Sequence, residues 1–466
     1  MNKLLYIIKK IIPSKLFKRL QPAYHFLLAW FAGAIYRWPS EKLIIIGVTG
    51  TTGKTTSTFL IAKTLKNIGY KVGYTSTAMF NDGKKEWLND KKMTMAGRFF
   101  TQSILNKMVK NGCQYAVVET TSEGIRQFRH RFINYDILVF TGLYPEHIES
   151  HGGFENYKAA KGQLFAHLKN CKTKYADDSK KIIKIDGDIK KLNLNRVKKS
   201  LIVNLDDEYA EYFLNFWAEE KSGFTQGFKK NIQEVKAMTY GEIFTRPDGI
   251  SFAADKTKIN LKLLGEFNAG NAMTAIGVAK AQGVLMEKIK QGIEKITGVP
   301  GRLEMINLGQ DFTVIVDYSF EPNAFTKLYE TINLLPHNQI IHVFGGTGGG
   351  RDVSRRPILG RIAGEKADIV IATNEDPYDE NPEIIVDQVI VGAEKGGKIM
   401  NQNLFKVMDR REAIAKAVDL AKKDDIVLIT GKGSEQLMCL ANDQKIPWDD
   451  RKVASEEIET KLAKIK

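Results

Sequence analysis

Three cysteines in 466 residues leave this chain little sulfur chemistry. Cys113, Cys171 and Cys439 stand far apart, with no metal-ligand spacing and no disulfide framework, which suits a reducing compartment. There is no low-complexity tract and no internal repeat, so disordered and solenoid architectures are excluded. The apolar stretch Phe26 to Tyr36 has eleven residues, short of the about 20 that a spanning helix needs. Acidic residues are scarce, 54 Asp and Glu against 69 Lys and Arg, and the net charge is +15.

That excess is concentrated. Residues 1–42 hold Lys3, Lys9, Lys10, Lys15, Lys18, Arg19, Arg37 and Lys42 against Glu41 alone, a net of 8 − 1 = +7. Leu4, Leu5, Ile7, Ile8, Ile11 and Ile12 recur at helical spacing between the lysines, ahead of Pro13. Lysines on one face with Trp, Phe and Leu on the other suit a helix lying in a membrane interface. A solvated basic arm is the plain alternative. Ala32-Gly33-Ala34 resembles a signal-peptide cleavage site, but Pro13 and the charges at 15–19 break the apolar core. The expectation is a cytoplasmic monomer touching the inner membrane face peripherally through residues 1–38, with no nucleic-acid partner.

A length of 466 residues predicts more than one domain. Leu43 to Val48, Lys71 to Thr75, Tyr115 to Glu119 and Ile137 to Thr141 read as buried strands, with a helix at Ser57 to Leu65 between the first two. Strands alternating with helices predict a doubly wound α/β domain whose ligand sits beyond the carboxyl ends of the strands. Residues 172–260 read as strands and loops decorating that domain, and Asn268 to Gln282 as a helix. Val299-Pro300-Gly301 marks a boundary. Thr313 to Asp317, Ile340 to Phe344, Asp368 to Thr373 and Asp425 to Thr430 then repeat the α/β pattern. The expected fold is a central P-loop-type ATPase domain with a mainly parallel sheet (43–298), a smaller Rossmann-like C-terminal domain (299–466) and the basic apolar segment 1–42.

The strongest chemical signal is Gly50-Thr51-Thr52-Gly53-Lys54-Thr55-Thr56, between a strand and a helix. Glycines there let backbone N–H groups turn inward around phosphate oxygens. Lys54 can reach the β- and γ-phosphates of ATP, and the Thr55 hydroxyl can hold Mg²⁺. The helix N-terminus adds favourable partial charge. The generic motif wants glycine at position 48, where Val48 stands. Glu119, ending a buried strand, is placed for Mg²⁺.

The off-register loop resembles the TGTxGKT[TS] loop of the Mur ligase family, which adds amino acids to the muramyl peptide with ATP. The likeness extends over about residues 43–455. Pro145-Glu146-His147 to Gly153, followed by Tyr157 to Lys161, is similar to the DHLDYHG…YxxAK stretch of the MurE subgroup, with His147 and Lys161 14 residues apart. Glu146 stands where the subgroup has Asp. The resemblance implies two Mg²⁺ sites held by Thr55, Glu119, His147 and a carbamylated Lys161. It implies nucleotide contacts from Asn268 and Asn271 (the GxFNxxN segment), Arg302 (GRLE for GRME) and Asp317 (VDYSFEP for VDYAHTP), with Phe320 in place of a histidine. Phe344 to Asp352 with Arg355-Arg356-Pro357 resembles FGCGGDRDxxKRP, which makes Arg351 and Arg356 anion contacts. Asp409-Arg410 and Trp448 to Arg451 resemble the DR pair near the nucleotide and the closing DR segment.

Specificity departs from the family. DNPR reads Glu375-Asp376-Pro377-Tyr378 here, so Asp376 remains but Tyr378 cannot form the bidentate fork that grips a distal carboxylate. GKGHE reads Gly431-Lys432-Gly433-Ser434-Glu435, where Glu435 could accept a distal amine. Family members begin with a UDP-binding domain, whereas only residues 1–42 precede the phosphate strand here. The expectation is therefore an ADP-forming carboxylate–amine ligase of peptidoglycan synthesis lacking that domain. A lipid-linked or folate-type acceptor, or a non-catalytic ATP-binding scaffold, are the rival readings.

Overall fold

The structure, a computed structural model, describes residues 14–145, 151–185, 194–227, 232–350 and 353–465. Its larger sheet has eleven strands. From edge to edge they are Thr257–Leu261, Gly249–Ala254, Val235–Arg246, Glu220–Gln226, Ser200–Asn204, Ile137–Phe140, Ile44–Thr49, Tyr115–Glu119, Val72–Thr75, Met79–Asn81 and Glu86–Leu88. Pairing is parallel from Val235–Arg246 through Val72–Thr75 and antiparallel at both edges.

The central strands are unbroken apolar runs because both faces are dry. Ile44, Ile46 and Val48 enter one core, while Leu43 and Ile45 enter the other. The first face is covered by helices Lys54–Asn67 and Phe267–Ala281, which contribute Leu60, Ile61, Ala272 and Ile276. The second is covered by Arg98–Lys110 and Phe154–Leu168, through Ile104, Leu105, Leu164 and Phe165. Each fully buried Leu, Ile or Phe among them contributes about 1.5–3 kcal/mol.

Residues 172–260 correct the sequence reading. Ser200–Asn204 and Glu220–Gln226 are not decoration; they extend the parallel sheet. Only Lys174–Ala176, Ile182–Ile185 and Asn195–Val197 form a separate small sheet. Two lysines of this stretch are interior. Lys174 Nζ lies 2.5 Å from Asp136 Oδ2, and Lys199 Nζ lies 2.8 Å from Asp136 Oδ1, all three side chains buried. Asp136 also accepts the Ile45 amide at 2.8 Å, tying the triad to the strand before the phosphate loop. Burial pulls the Lys174 pKa down to about 8, against the attraction of Asp136.

The second sheet runs Glu304–Ile306, Thr313–Asp317, Ile426–Thr430, Ile340–Phe344, Ile369–Ala372 and Leu404–Lys406. All its pairs are parallel except the first. The α/β class and the smaller C-terminal sheet are therefore as the sequence predicts. The N-terminal segment forms a helix, Ser14–Ile35, with Pro22 inside it. Among the described residues no helix is long and apolar enough to cross a membrane.

Candidate active site

The phosphate loop joins strand Ile44–Thr49 to helix Lys54–Asn67. Two glycines make the turn. Gly50 has φ 153°, and a Cβ there would lie 2.0 Å from Thr141 Oγ1 and 2.9 Å from the Gly142 carbonyl. Gly53 has φ 75°, and its Cβ would lie 2.5 Å from Asn271 Oδ1. Only glycine accepts both the backbone angle and the crowding. The Thr51 amide donates to Gly142 O at 2.8 Å, and Thr141 Oγ1 donates to Thr52 O at 2.6 Å. Lys54 Nζ folds back onto Thr51 O at 2.5 Å.

Glu119 lies at the carboxyl end of the strand beside the loop and is 1% exposed. The Thr55 hydroxyl donates to its two oxygens at 3.0 and 3.1 Å. Thr77 adds its backbone amide at 2.8 Å and its hydroxyl at 3.0 Å. Thr77 escaped the sequence reading, since no motif marks it. Paired hard oxygens of this kind are the donor set that Mg²⁺ takes, so Thr55 and Glu119 fit the ion.

Lys161 is 1% exposed and projects from helix Phe154–Leu168 to the underside of the loop. Its Nζ donates to Gly50 O at 2.7 Å and lies 4.6 Å from the centre of the Tyr157 ring. The Tyr157 hydroxyl in turn lies 3.2 Å from Thr51 Oγ1. His147 and Arg351 lie outside the described residues. Among the described residues no three His, Cys, Asp or Glu side chains gather into a metal-binding group.

A cleft of about 1030 Å³ opens beside the loop, lined from both sheets by residues including Lys54, Glu119, Asn271, Arg302, Tyr378 and Glu435. Asn271 faces the loop, with Ser57 Oγ 3.4 Å from its Oδ1. Asn268 instead supports it, accepting from Asn271 Nδ2 at 2.8 Å and donating to Leu264 O at 2.6 Å. The cap of that helix is Glu266. Arg302 reaches across from the C-terminal side, its Nη2 3.4 Å from Thr55 Oγ1 and its guanidinium 4.3 Å from the Tyr318 ring centre. Asp317 accepts the Leu303 amide at 2.8 Å and the Ser319 amide at 2.7 Å, which fixes the turn carrying Arg302.

Two lysines and two carboxylates meet at the far wall. Lys432 Nζ lies 2.9 Å from both Asp376 oxygens and 2.9 Å from Glu435 Oε2. Lys92 Nζ lies 2.6 Å from Asp376 Oδ2 and also bonds Glu435. Burial works against the Lys92 charge, but Glu435 and Asp376 outweigh it and hold the pKa above its ordinary value. Burial likewise works against ionisation of Asp376, and Lys432 and Lys92 reverse the effect, holding its pKa below the usual carboxylate range. The Tyr318 hydroxyl donates to Glu435 Oε1 at 3.1 Å. Tyr378 has φ 51° and stands beside Gly349.

Two motif arginines serve the scaffold. Arg356 is 2% exposed and bonds Glu380 at 2.8 Å, Thr347 O at 2.9 Å and Gln388 at 2.9 Å, so it is no anion contact. Its neighbour Arg355 lines the cleft instead, 5.2 Å from the Phe320 ring centre. Arg410 is locked to Asp450 by bonds of 2.8 and 2.7 Å, joining the two DR segments to each other.

Comparison with known proteins finds related chains. The family profile "Mur ligase middle domain" matches residues 48–198 and 189–279. The profile "Mur ligase, glutamate ligase domain" matches residues 301–433. The chain is 35% identical over 432 residues to a UDP-N-acetylmuramyl-tripeptide synthetase of Roseiflexus sp. (strain RS-1), covering 91% of this chain and 80% of that protein. It is 35% identical over 442 residues to a UDP-N-acetylmuramoyl-L-alanyl-D-glutamate–2,6-diaminopimelate ligase of Clostridium tetani (strain Massachusetts / E88), covering 93% and 81%. A solved structure of a ligase with that same activity name superposes with a TM-score of 0.57 at 26% identity, over 90% of this chain and 79% of the other.

Proposed function

The chain belongs to the Mur ligase family, and we propose that it joins an amino acid to a muramyl-peptide precursor through an acyl phosphate made from ATP. The observation that carries this reading is the Thr55–Glu119 pair at the phosphate loop, inside a cleft lined from both sheets. Lys54 and the loop amides hold the triphosphate at a helix N-terminus. Thr55 and Glu119 would hold Mg²⁺, which supplies charge neutralisation on the phosphates. A second Mg²⁺ site at His147 and a carbamylated Lys161 belong to the same proposal. Support for the carbamate is the burial of Lys161 against the loop backbone at Gly50. Asn271, Arg302 and Asp317 border the nucleotide.

The acceptor carboxylate attacks the γ-phosphorus and ADP leaves. The amine then attacks the acyl carbon, loses its proton, and phosphate departs. Fixed charges around the cleft position the reactants and stabilise the charge that develops. Tyr378 offers no charged fork for a distal carboxylate, which weighs against diaminopimelate and leaves lysine or another amine open. We place the enzyme in the cytoplasm as a monomer, divided at 43–298 and 299–466, with residues 1–38 in peripheral contact with a membrane.

The test is phosphate release coupled to mass spectrometry of the product. The chain is given ATP, Mg²⁺, a UDP-linked or a lipid-linked muramyl dipeptide, and each amino acid in turn. Amide product with one amino acid is expected. Its absence with every combination would overturn the reading.

A further inference from the structure

The helix Ser14–Ile35 is inverted relative to an ordinary surface helix. Leu20, Tyr24, Leu27, Phe31 and Ile35 recur every three or four residues and are between 38% and 63% exposed. Trp30 flanks that stripe and is 42% exposed. The opposite face is small and covered: Ala29 and Ala32 are buried, and Gly33 meets the Trp38 ring. Phe26 lies 5.1 Å and Trp38 5.6 Å from the Phe132 ring, centre to centre, which fixes the helix on the large sheet's outer layer. A surface helix normally turns its apolar stripe inward. An aromatic and aliphatic stripe left facing out marks a docking surface.

We propose that this outward face docks on an anionic lipid bilayer, with the helix lying in the interface plane. Charge chooses the occupant. Residues 1–42 carry a net of +7, eight basic against one acidic. A second copy docked face to face would bring two such charges together, which like-charge repulsion opposes. Anionic headgroups neutralise them, and Trp and Tyr favour the boundary between headgroup and acyl chain. A chain of contacts runs from the helix toward the cleft, beginning with Phe26 on Phe128. Arg129 beside Phe128 bonds the Met95 carbonyl, and Thr94 lines the cleft. The consequence, which rests on the ligase reading, is that this wall is held within reach of an acceptor carried in the bilayer.

The full chain is mixed with vesicles of phosphatidylglycerol and phosphatidylcholine, or of phosphatidylcholine alone, and sedimented. Pelleting at least tenfold greater with the anionic vesicles is expected, with a blue shift of tryptophan emission. The double variant Leu27→Glu, Phe31→Glu should lose that binding while its circular dichroism spectrum and basal ATP turnover stay unchanged. No pelleting, equal pelleting with both vesicles, pelleting untouched by the double variant, or a dimer in light scattering that the double variant abolishes would each overturn the proposal. Docking without amide product in any assay would sink the ligase reading and leave the docking standing.

Discussion

Lys92, in the turn before helix Arg98–Lys110, places its ammonium 2.6 Å from Asp376, beyond the end of strand Ile369–Ala372. This bond joins the two sheets' domains across the cleft. Glu435 receives the same ammonium, and Lys432 completes the cluster from its own side. Truncating one partner of a desolvated charge pair costs 2 kcal/mol or more. Because Lys432 still neutralises both carboxylates, the low end applies. The variant Lys92→Ala should shift the closed-to-open ratio about 30-fold, as about 2 kcal/mol implies. Small-angle scattering would show a larger radius of gyration, partly restored in Lys92→Arg. An unchanged radius would mean that the domains close without this bond.

Removing Lys54 should leave the fold intact and cut ATP turnover by about 10²–10³-fold, the usual loss for one positioned electrostatic contact. Among the described residues its side chain is bonded only locally, to Thr51 O, so little packing goes with it. Thermal unfolding and phosphate release together check this. Near-normal turnover would remove Lys54 from the phosphate site.

The triad at Asp136 makes the opposite prediction. Asp136→Asn strips the carboxylate from two buried lysines, and breaking a buried pair costs about 3–5 kcal/mol. Urea unfolding should show that loss even with the cleft residues untouched. A change under about 1 kcal/mol, the scale of an exposed pair, would mean that the lysines find water.

Acid should destabilise the protein before its carboxylates titrate. Burial pulls His167 down to about 4 and His342 down to about 3. Below an ordinary histidine pKa of about 6.5 the unfolded chain takes up protons that the folded chain refuses. Stability therefore falls as pH drops from about 6.5 towards 4, by up to about 1.4 kcal/mol per pH unit for each histidine. His342 is neutral between the Tyr329 hydroxyl at 2.6 Å and Thr430 Oγ1 at 2.9 Å. Urea midpoints at pH 7.5 and 5 test the slope, and His342→Gln should flatten it. An identical slope in that variant would assign the effect to other groups.

The sequence by itself determined the strands that carry the site. Tyr115–Glu119, Thr313–Asp317 and Ile340–Phe344 fall where their unbroken apolar runs predict them, because a strand dry on both faces has no polar positions to hide it. It determined the phosphate loop as well, since glycine at 50 and 53 answers a local demand for positive φ. Other relationships were decided only by the tertiary structure. Lys92 lies 284 residues from Asp376 in the chain, and no local pattern marks a lysine that will be desolvated. Nor does any local pattern mark Lys174 and Lys199 as the buried partners of Asp136. Arg356 looks like an anion ligand, and Arg410 like a neighbour of the nucleotide, until Glu380 and Asp450 claim them. Whether a charged side chain serves a ligand or the scaffold depends on which opposite charge the folded chain brings within about 3–4 Å, and sequence spacing does not carry that distance.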